Sequence, residues 1–137
     1  MPLLEKDQFV CIDCESTGLD PKMDQIIEVA VVSFTLSEGV QDSFESLIDP
    51  LCVIPESSIE IHHIKQEMVD GQPKIGDVLA RVLEIIGRRT IVGHGVKFDI
   101  ELIALAAEKA GIPCRIRQNP TIDTLRLARL YGDSPSN

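Results

Sequence analysis

The chain lacks any apolar run long enough to span a bilayer: its longest, residues 26–34, is interrupted by Glu28. Residues 1–10 mix Glu5, Lys6 and Asp7 with apolar side chains and do not resemble a secretory leader, so the expected compartment is the cytoplasm, with no membrane partner. Repeats and low-complexity tracts are missing. There is no basic excess either. The formal net charge is −9, the opposite of what a nucleic-acid binder usually shows. No phosphate-cradling glycine loop or aspartate-nucleophile pattern occurs, which ranks a Mg²⁺-assisted phosphatase low. Cys11 and Cys14 form one C-x-x-C, but no second C-x-x-C and no H-x-x-x-H completes a tetrahedral zinc site. They fall in a run with strand character, and positions three apart on a strand face opposite ways. The four cysteines, at 11, 14, 52 and 114, are therefore read as buried reduced thiols.

What remains is an ordinary soluble composition: 137 residues, 44% hydrophobic and 26% charged, enough for one domain over residues 1–137 with one core. The charge is unevenly placed. Residues 1–70 hold 3 Lys+Arg against 15 Asp+Glu, net −12, and residues 71–137 hold 10 against 7, net +3, together −9. An acidic half suits divalent cations and a mildly basic half suits phosphate, although many other proteins share that split.

Residues 9–15 predict a first strand, and 16–25, with Gly18 and Pro21, a loop. Residues 26–36 are β-branched and nearly continuously apolar, which predicts a strand buried on both faces. Residues 40–48 predict a third strand, joined to the second by a hairpin at 37–39. Short helical turns are expected near 57–61 and 66–69. Ile75, Val78, Leu79, Val82, Leu83 and Ile86 follow helical spacing up to Gly87. Thr90-Ile91-Val92 predicts a short strand ending at Gly93-His94-Gly95. Phe98, Leu102, Leu105 and Ala106 mark another helix, closed near Lys109, Gly111 and Pro113. Thr121-Ile122 is a brief strand, after which Asp123 can cap a last helix running through Leu125, Ala128 and Tyr131 to Gly132. Three strands in succession followed by α, β, α, β, α predict an α/β mixed sheet, antiparallel over its first three strands and then parallel, flanked by helices.

Asp13 and Glu15 stand at i and i+2 on the first strand and so share a face. Neighbouring carboxylates repel unless a cation lies between them, and hard oxygen donors suit Mg²⁺ or Mn²⁺. By itself D-x-E also describes a solvated strand end. Here the acids close an apolar strand and lead into Ser16-Thr17-Gly18-Leu19, a loop with hydroxyls, free amides and an apolar tip. Further on, Gly93-His94-Gly95-Val96-Lys97-Phe98-Asp99 carries a short strand through a glycine turn into a helix, with Asp99 in its first turn, where the helix dipole favours a carboxylate.

Together these segments are recognisable. Val10-Cys11-Ile12-Asp13-Cys14-Glu15-Ser16-Thr17-Gly18-Leu19 resembles the first motif of the DEDD 3′-to-5′ exonuclease superfamily, and Gly93 through Asp99 resembles its second. The segment Ile59-Glu60-Ile61-His62-His63-Ile64 with Glu67-Met68-Val69, and the stretch Thr121-Ile122-Asp123-Thr124-Leu125, are similar to the group typified by the proofreading epsilon subunit of bacterial DNA polymerase III. The resemblance covers nearly the whole chain, in order. It implies a ribonuclease H-like fold and hydrolysis of nucleic acid from the 3′ end to nucleoside monophosphates, with DNA ahead of RNA as the single-stranded substrate. It also implies a DNA polymerase as partner. Asp13, Glu15 and Asp99 would ligate two divalent cations, Mg²⁺ or Mn²⁺. Leu19, Ile61 and Phe98 would pack around the terminal nucleotide, with Thr17, Gly18, His62 and His94 positioning it. Asp123 is read as a helix cap and not a ligand.

The chain departs from the family pattern in two places. Gly95 stands where relatives usually have Asn, which is expected to loosen the turn before Asp99. The third motif, a general-base His followed five residues later by a fourth metal-binding Asp beyond the Asp123-Thr124 stretch, has no counterpart: His62, His63 and His94 all lie upstream, and Asp133 has no His five residues before it. Ser134-Pro135-Ser136-Asn137 reads as the lead-in to a further helix. The expectation is a chain truncated before its C-terminal helix, with no general base and weak or no turnover. It would carry an uncovered apolar surface that favours a homodimer. The alternatives are a non-catalytic module that binds nucleic acid or a polymerase, and an oligoribonuclease-like trimmer of RNA.

Overall fold

The computed structural model describes residues 7–131. Strands β1 (Gln8–Ser16), β2 (Ile26–Thr35) and β3 (Gly39–Leu47) come first, then helices α1 (Glu56–His62), α2 (Gln66–Val69) and α3 (Ile75–Ile86). Strand β4 (Thr90–Gly93), helix α4 (Val96–Ala110), a 3-10 turn (Ile116–Gln118), strand β5 (Thr121–Asp123) and helix α5 (Thr124–Tyr131) follow. The sheet order is β3-β2-β1-β4-β5; β1 pairs antiparallel with β2 and parallel with β4, and β4 pairs parallel with β5. The expected mixed sheet is borne out. The 3-10 turn was not anticipated, and the lead-in at 134–137 lies outside the described residues. Among the described residues no helix is long and apolar enough to cross a membrane.

Periodicity builds the core. Val10, Ile12 and Cys14 point from β1 to the same side as Val29 and Val31 of β2, where Val78, Leu79, Val82 and Ile86 of α3 meet Ile100, Ile103 and Ala107 of α4. Each such valine, leucine or isoleucine removed from water contributes about 1.5–3 kcal/mol. A second cluster, Ile27, Ile54, Ile64 and Val69, anchors α1 and α2. Two expectations are corrected. Strand β2 is not buried on both faces: Val29, Val31 and Ser33 are buried, while Glu28, Ala30 and Val32 are half-buried. The reason is that α3 and α4 pack on one side only. Likewise, of the four cysteines, all reduced, Cys14 alone is buried, and Cys11, Cys52 and Cys114 are exposed. The strand geometry holds, since Cys11 and Cys14 face opposite ways, but apolar sequence context did not guarantee burial.

Strand β4 must end on a residue without a side chain. A Cβ on Gly93 would lie 2.7 Å from Val96 Cγ2, 2.9 Å from Val96 Cβ and 3.4 Å from the Ile12 carbonyl oxygen. Gly93→Ala is expected to destabilise the fold by about 1–3 kcal/mol through overpacking. Thermal unfolding checks this; an unchanged melting temperature would show that the turn has slack.

Candidate active site

Strand β1 alternates, so Asp13 is exposed and Glu15 half-buried on the face opposite the core, side by side as their spacing requires. Asp13 is thus more open than a strand-closing position suggested. Asp99, in the first turn of α4, is only 7% exposed. It comes to β1 for a specific reason. The β1–β4 ladder runs from Phe9↔Thr90 to Cys11↔Val92, and β4 ends at Gly93. The Cys14 amide lies past that ladder, and it donates a buried 2.9 Å hydrogen bond to Asp99 Oδ1, 85 residues away along the chain. A backbone amide therefore fixes the third carboxylate beside the other two.

Burial raises Asp99 to about 7, assisted by the charges of Asp13 and Glu15 and opposed by the Cys14 N–H. Glu15 is raised by burial and then by Asp13 and Glu28. Glu28, directly across from Glu15 in the β1–β2 register, is raised by burial, Glu45 and Asp13. Sequence reasoning missed this fourth acid. Its signal was present as the one charge within the long apolar run, but only the strand register says what it faces.

The loop after β1 is a closed hydrogen-bonded unit. Thr17 N–H donates to the Gln25 carbonyl at 2.9 Å, and Gln25 N–H to Thr17 Oγ1 at 3.0 Å. Asp24 accepts from Thr17 Oγ1 at 3.0 Å and from Asp20 N–H at 2.9 Å. Ser58 Oγ, from α1, donates to the Thr17 carbonyl at 2.6 Å and pins the loop to that helix. This rigid base presents Leu19 at 87% exposure, and α1 presents Ile61 at 74%. Apolar side chains held so far into solvent by fixed backbone are suited to gripping a flat apolar ligand. Phe98 is half-buried, packed against the core.

His62 Nδ1 accepts from Ile64 N–H at 3.0 Å, so the proton of the neutral ring sits on Nε2, which is buried without a hydrogen bond. Burial is the main cause that lowers the His62 pKa and favours that neutral form. His94 is exposed, its Nδ1 3.2 Å from Thr124 Oγ1. The glycine turn is not loose as expected: Gly95, at φ 64°, donates to Asp123 Oδ1 at 2.9 Å.

All ten residues singled out in the sequence (Asp13, Glu15, Thr17, Gly18, Leu19, Ile61, His62, His94, Phe98 and Asp99) line one cleft of about 570 Å³. Cys14, Ser16, Ser57, Ser58 and Gly95 complete its wall. Among the described residues no three His, Cys, Asp or Glu side chains enclose a metal position by themselves. The donor set nevertheless fits a hard divalent ion: three carboxylates share the cleft, the charge of Asp13 raises the proton affinity of Asp99 and Glu15, and Mg²⁺ keeps several water or substrate oxygens in its shell.

A mixed sheet of this topology, with carboxylates where β1 passes the start of α4, defines a ribonuclease H-like nuclease scaffold. The exonuclease family model (RNase T type) matches residues 10–136, and the chain belongs to that family. The DNA polymerase III PolC-type protein of Clostridium perfringens is 39% identical over 128 residues, covering 93% of this chain and 9% of that protein. The Bacillus cereus PolC-type protein is 35% identical over 135 residues, 98% of this chain and 9% of its own length. The chain thus spans about a tenth of these relatives. Among solved structures, exonuclease X in complex with 5′-overhanging duplex DNA matches with a TM-score of 0.68 and 25% identity, over 94% of this chain and 68% of that one. E. coli exonuclease I in complex with a dA13 oligonucleotide matches with a TM-score of 0.77 over 90% of this chain and 29% of that one; at 17% identity this is a likeness of fold. The resemblance stated from the motifs is borne out at the level of the exonuclease superfamily.

Proposed function

We propose that this chain is the metal-dependent 3′-to-5′ exonuclease part of a DNA polymerase III-type protein, acting on single-stranded DNA ends ahead of RNA. The observation that carries this reading is the single cleft in which the Cys14 amide holds Asp99 beside Asp13 and Glu15. These three carboxylates would hold two divalent ions, Mg²⁺ or Mn²⁺. Ions so bound would lower the pKa of an attacking water and would offset charge on the leaving 3′ oxygen. Leu19, Ile61 and Phe98 grip the terminal nucleoside by its apolar faces, while the Thr17–Gly18 backbone and His94 orient its sugar and phosphate. His62, whose Nδ1 is taken by the Ile64 amide, shapes the floor of the cleft and keeps its Nε2–H as a donor.

The one His-x4-Asp spacing in residues 1–137, His94 to Asp99, belongs to the second motif, and the third motif has no counterpart among them. Turnover by these residues alone is therefore slow, since a general base supplies about 10²–10⁴-fold. Ile122, Leu127 and Leu130 are exposed on β5 and α5 and form the surface through which isolated residues 1–137 would self-associate.

The test uses 5′-labelled single-stranded DNA and RNA in Mn²⁺, with EDTA and Asp13→Ala controls, on residues 1–137 and on a polymerase-length protein carrying them. The expected result is a ladder shortening from the 3′ end, stronger in the longer protein and abolished by EDTA. Retained DNA binding with no ladder in either protein would replace the enzyme by the binding module. A ladder on RNA alone would replace proofreading by RNA trimming.

A further inference from the structure

Helix α4 begins at a residue that cannot cap it. The N-cap position normally offers a side-chain oxygen to the first free amides of a helix, but here it is Gly95, and no residue of α4 supplies such a bond. The oxygen comes from another element. Asp123 Oδ1 accepts from Gly95 N–H at 2.9 Å, and Asp123 Oδ2 from Val96 N–H at 3.2 Å. Asp123 Oδ1 also accepts from Leu125 N–H at 2.9 Å, the local cap of α5. One carboxylate thus closes the starts of two helices, brought there by the β4–β5 register that sets Gly93 opposite Asp123.

The next residue extends the clasp. Thr124 Oγ1 donates to the Gly93 carbonyl at 3.2 Å and lies 3.2 Å from His94 Nδ1. With its one proton on Gly93, the hydroxyl has lone pairs free to accept from His94 Nδ1 when that nitrogen carries a proton. Residues 93–96, which put His94 into the cleft and begin the helix that carries Asp99, are therefore tied to 123–124 on all sides. Asp123 itself does not line the cleft. It stays ionised because, although burial opposes its charge, the backbone N–H groups of Gly95, Leu125 and Val96 outweigh that cost and lower its pKa.

We infer that Asp123 is a positioning residue: its carboxylate caps α4 from outside and thereby sets Asp99 against the Cys14 amide, ready to ligate a cation. This goes beyond its reading as a local cap of α5, and it rests on the proposed role of Asp99.

The discriminating variant is Asp123→Asn. It keeps the acceptor oxygen that Gly95 and Leu125 share but turns an NH₂ toward the Val96 amide. Amide exchange by NMR, without metal, reads the clasp at Val96 and reads the position of Asp99 through the Cys14 amide. Exchange at Val96 and Cys14 is expected to accelerate about tenfold or more, with Gly95 and Leu125 still protected. Mn²⁺ affinity is expected to fall about 10-fold, the scale of an outer-shell loss. Faster exchange at Val96 with Cys14 and Mn²⁺ affinity unchanged would make the contact merely structural and overturn the proposal. So would no change at any of them. Should Asp123→Asn not fold, Thr124→Val loosens the same turn through Gly93 and His94; it is expected to accelerate Cys14 exchange in the same direction, and an unaltered rate would overturn the proposal. Failure of the exonuclease reading shows separately, as Mn²⁺ affinity in the parent protein indifferent to Asp13→Ala. The exchange arm does not depend on that result.

Discussion

Asp13→Ala is expected to slow release of 3′ nucleotides by about three orders of magnitude, equivalent to about 4 kcal/mol of lost transition-state stabilisation. The protein should stay folded. Asp13 is exposed and accepts no hydrogen bond among the described residues, so its removal leaves no buried partner unsatisfied. Its charge raises the proton affinity of Asp99, Glu15, Glu28 and Cys14, so alanine relieves repulsion around the cleft. The measurement is single-turnover cleavage of a 5′-labelled strand in saturating Mn²⁺, on the longest form of the protein that carries residues 1–137, beside a melting curve. Activity within tenfold of the parent would remove Asp13 from the reacting centre. A collapsed melting temperature would show instead that it holds the fold.

Local periodicity carried much of the fold. The hairpin at 37–39, the amphipathic spacing from Ile75 to Ile86 and the stop at Gly87 are one-dimensional patterns that need no knowledge of what lies opposite. The structure has helix Ile75–Ile86 where that spacing put it. The same holds for the D-x-E pair, whose shared face follows from strand geometry alone. What stayed hidden depends on register and on contacts far apart in sequence. Glu28 reads as a flaw in an apolar strand until the β1–β2 pairing sets it opposite Glu15. The Cys14 amide reaches Asp99 because the short β4 pairs with β1 only as far as Cys11; the shortness was legible in the sequence, the pairing partner was not. Asp123 showed its local capping role plainly. Its second role, at Gly95 and Val96, exists only because β5 lies next to β4. The half-buried face of β2 and the exposed thiols were misread for a related reason: apolar content reports how much can be buried, not which side the helices take.

Asp99→Asn is expected to separate stability from function. In the folded protein burial, then the charges of Asp13 and Glu15, lift Asp99 from 3.8 to about 7. Below 3.8 the side chain is protonated both folded and unfolded, and its ionisation costs nothing. As pH rises through the interval to about 7, the unfolded chain loses the proton first, so folding is progressively disfavoured, and above 7 the full cost applies. In full the gap corresponds to about 4 kcal/mol, which the open mouth of the cleft reduces to about 1–2 kcal/mol. Asparagine is neutral throughout and can still accept from the Cys14 amide. Without metal, Asp99→Asn should therefore melt several degrees higher than the parent at pH 8 and match it near pH 4. Divalent ions should reverse the order. The parent gains about 2.7 kcal/mol at a Mn²⁺ concentration 100 times its dissociation constant, whereas the variant lacks the third carboxylate and gains little. Because the ion competes with the Asp99 proton, parent affinity should climb with pH up to about 7 and then level off. Melting curves at pH 4, 6 and 8, with and without Mn²⁺, give the full set. Equal stabilisation of both proteins by Mn²⁺ would remove Asp99 from the metal site, and a metal-free variant no more stable than the parent at pH 8 would show that its carboxylate is not strained by the cleft.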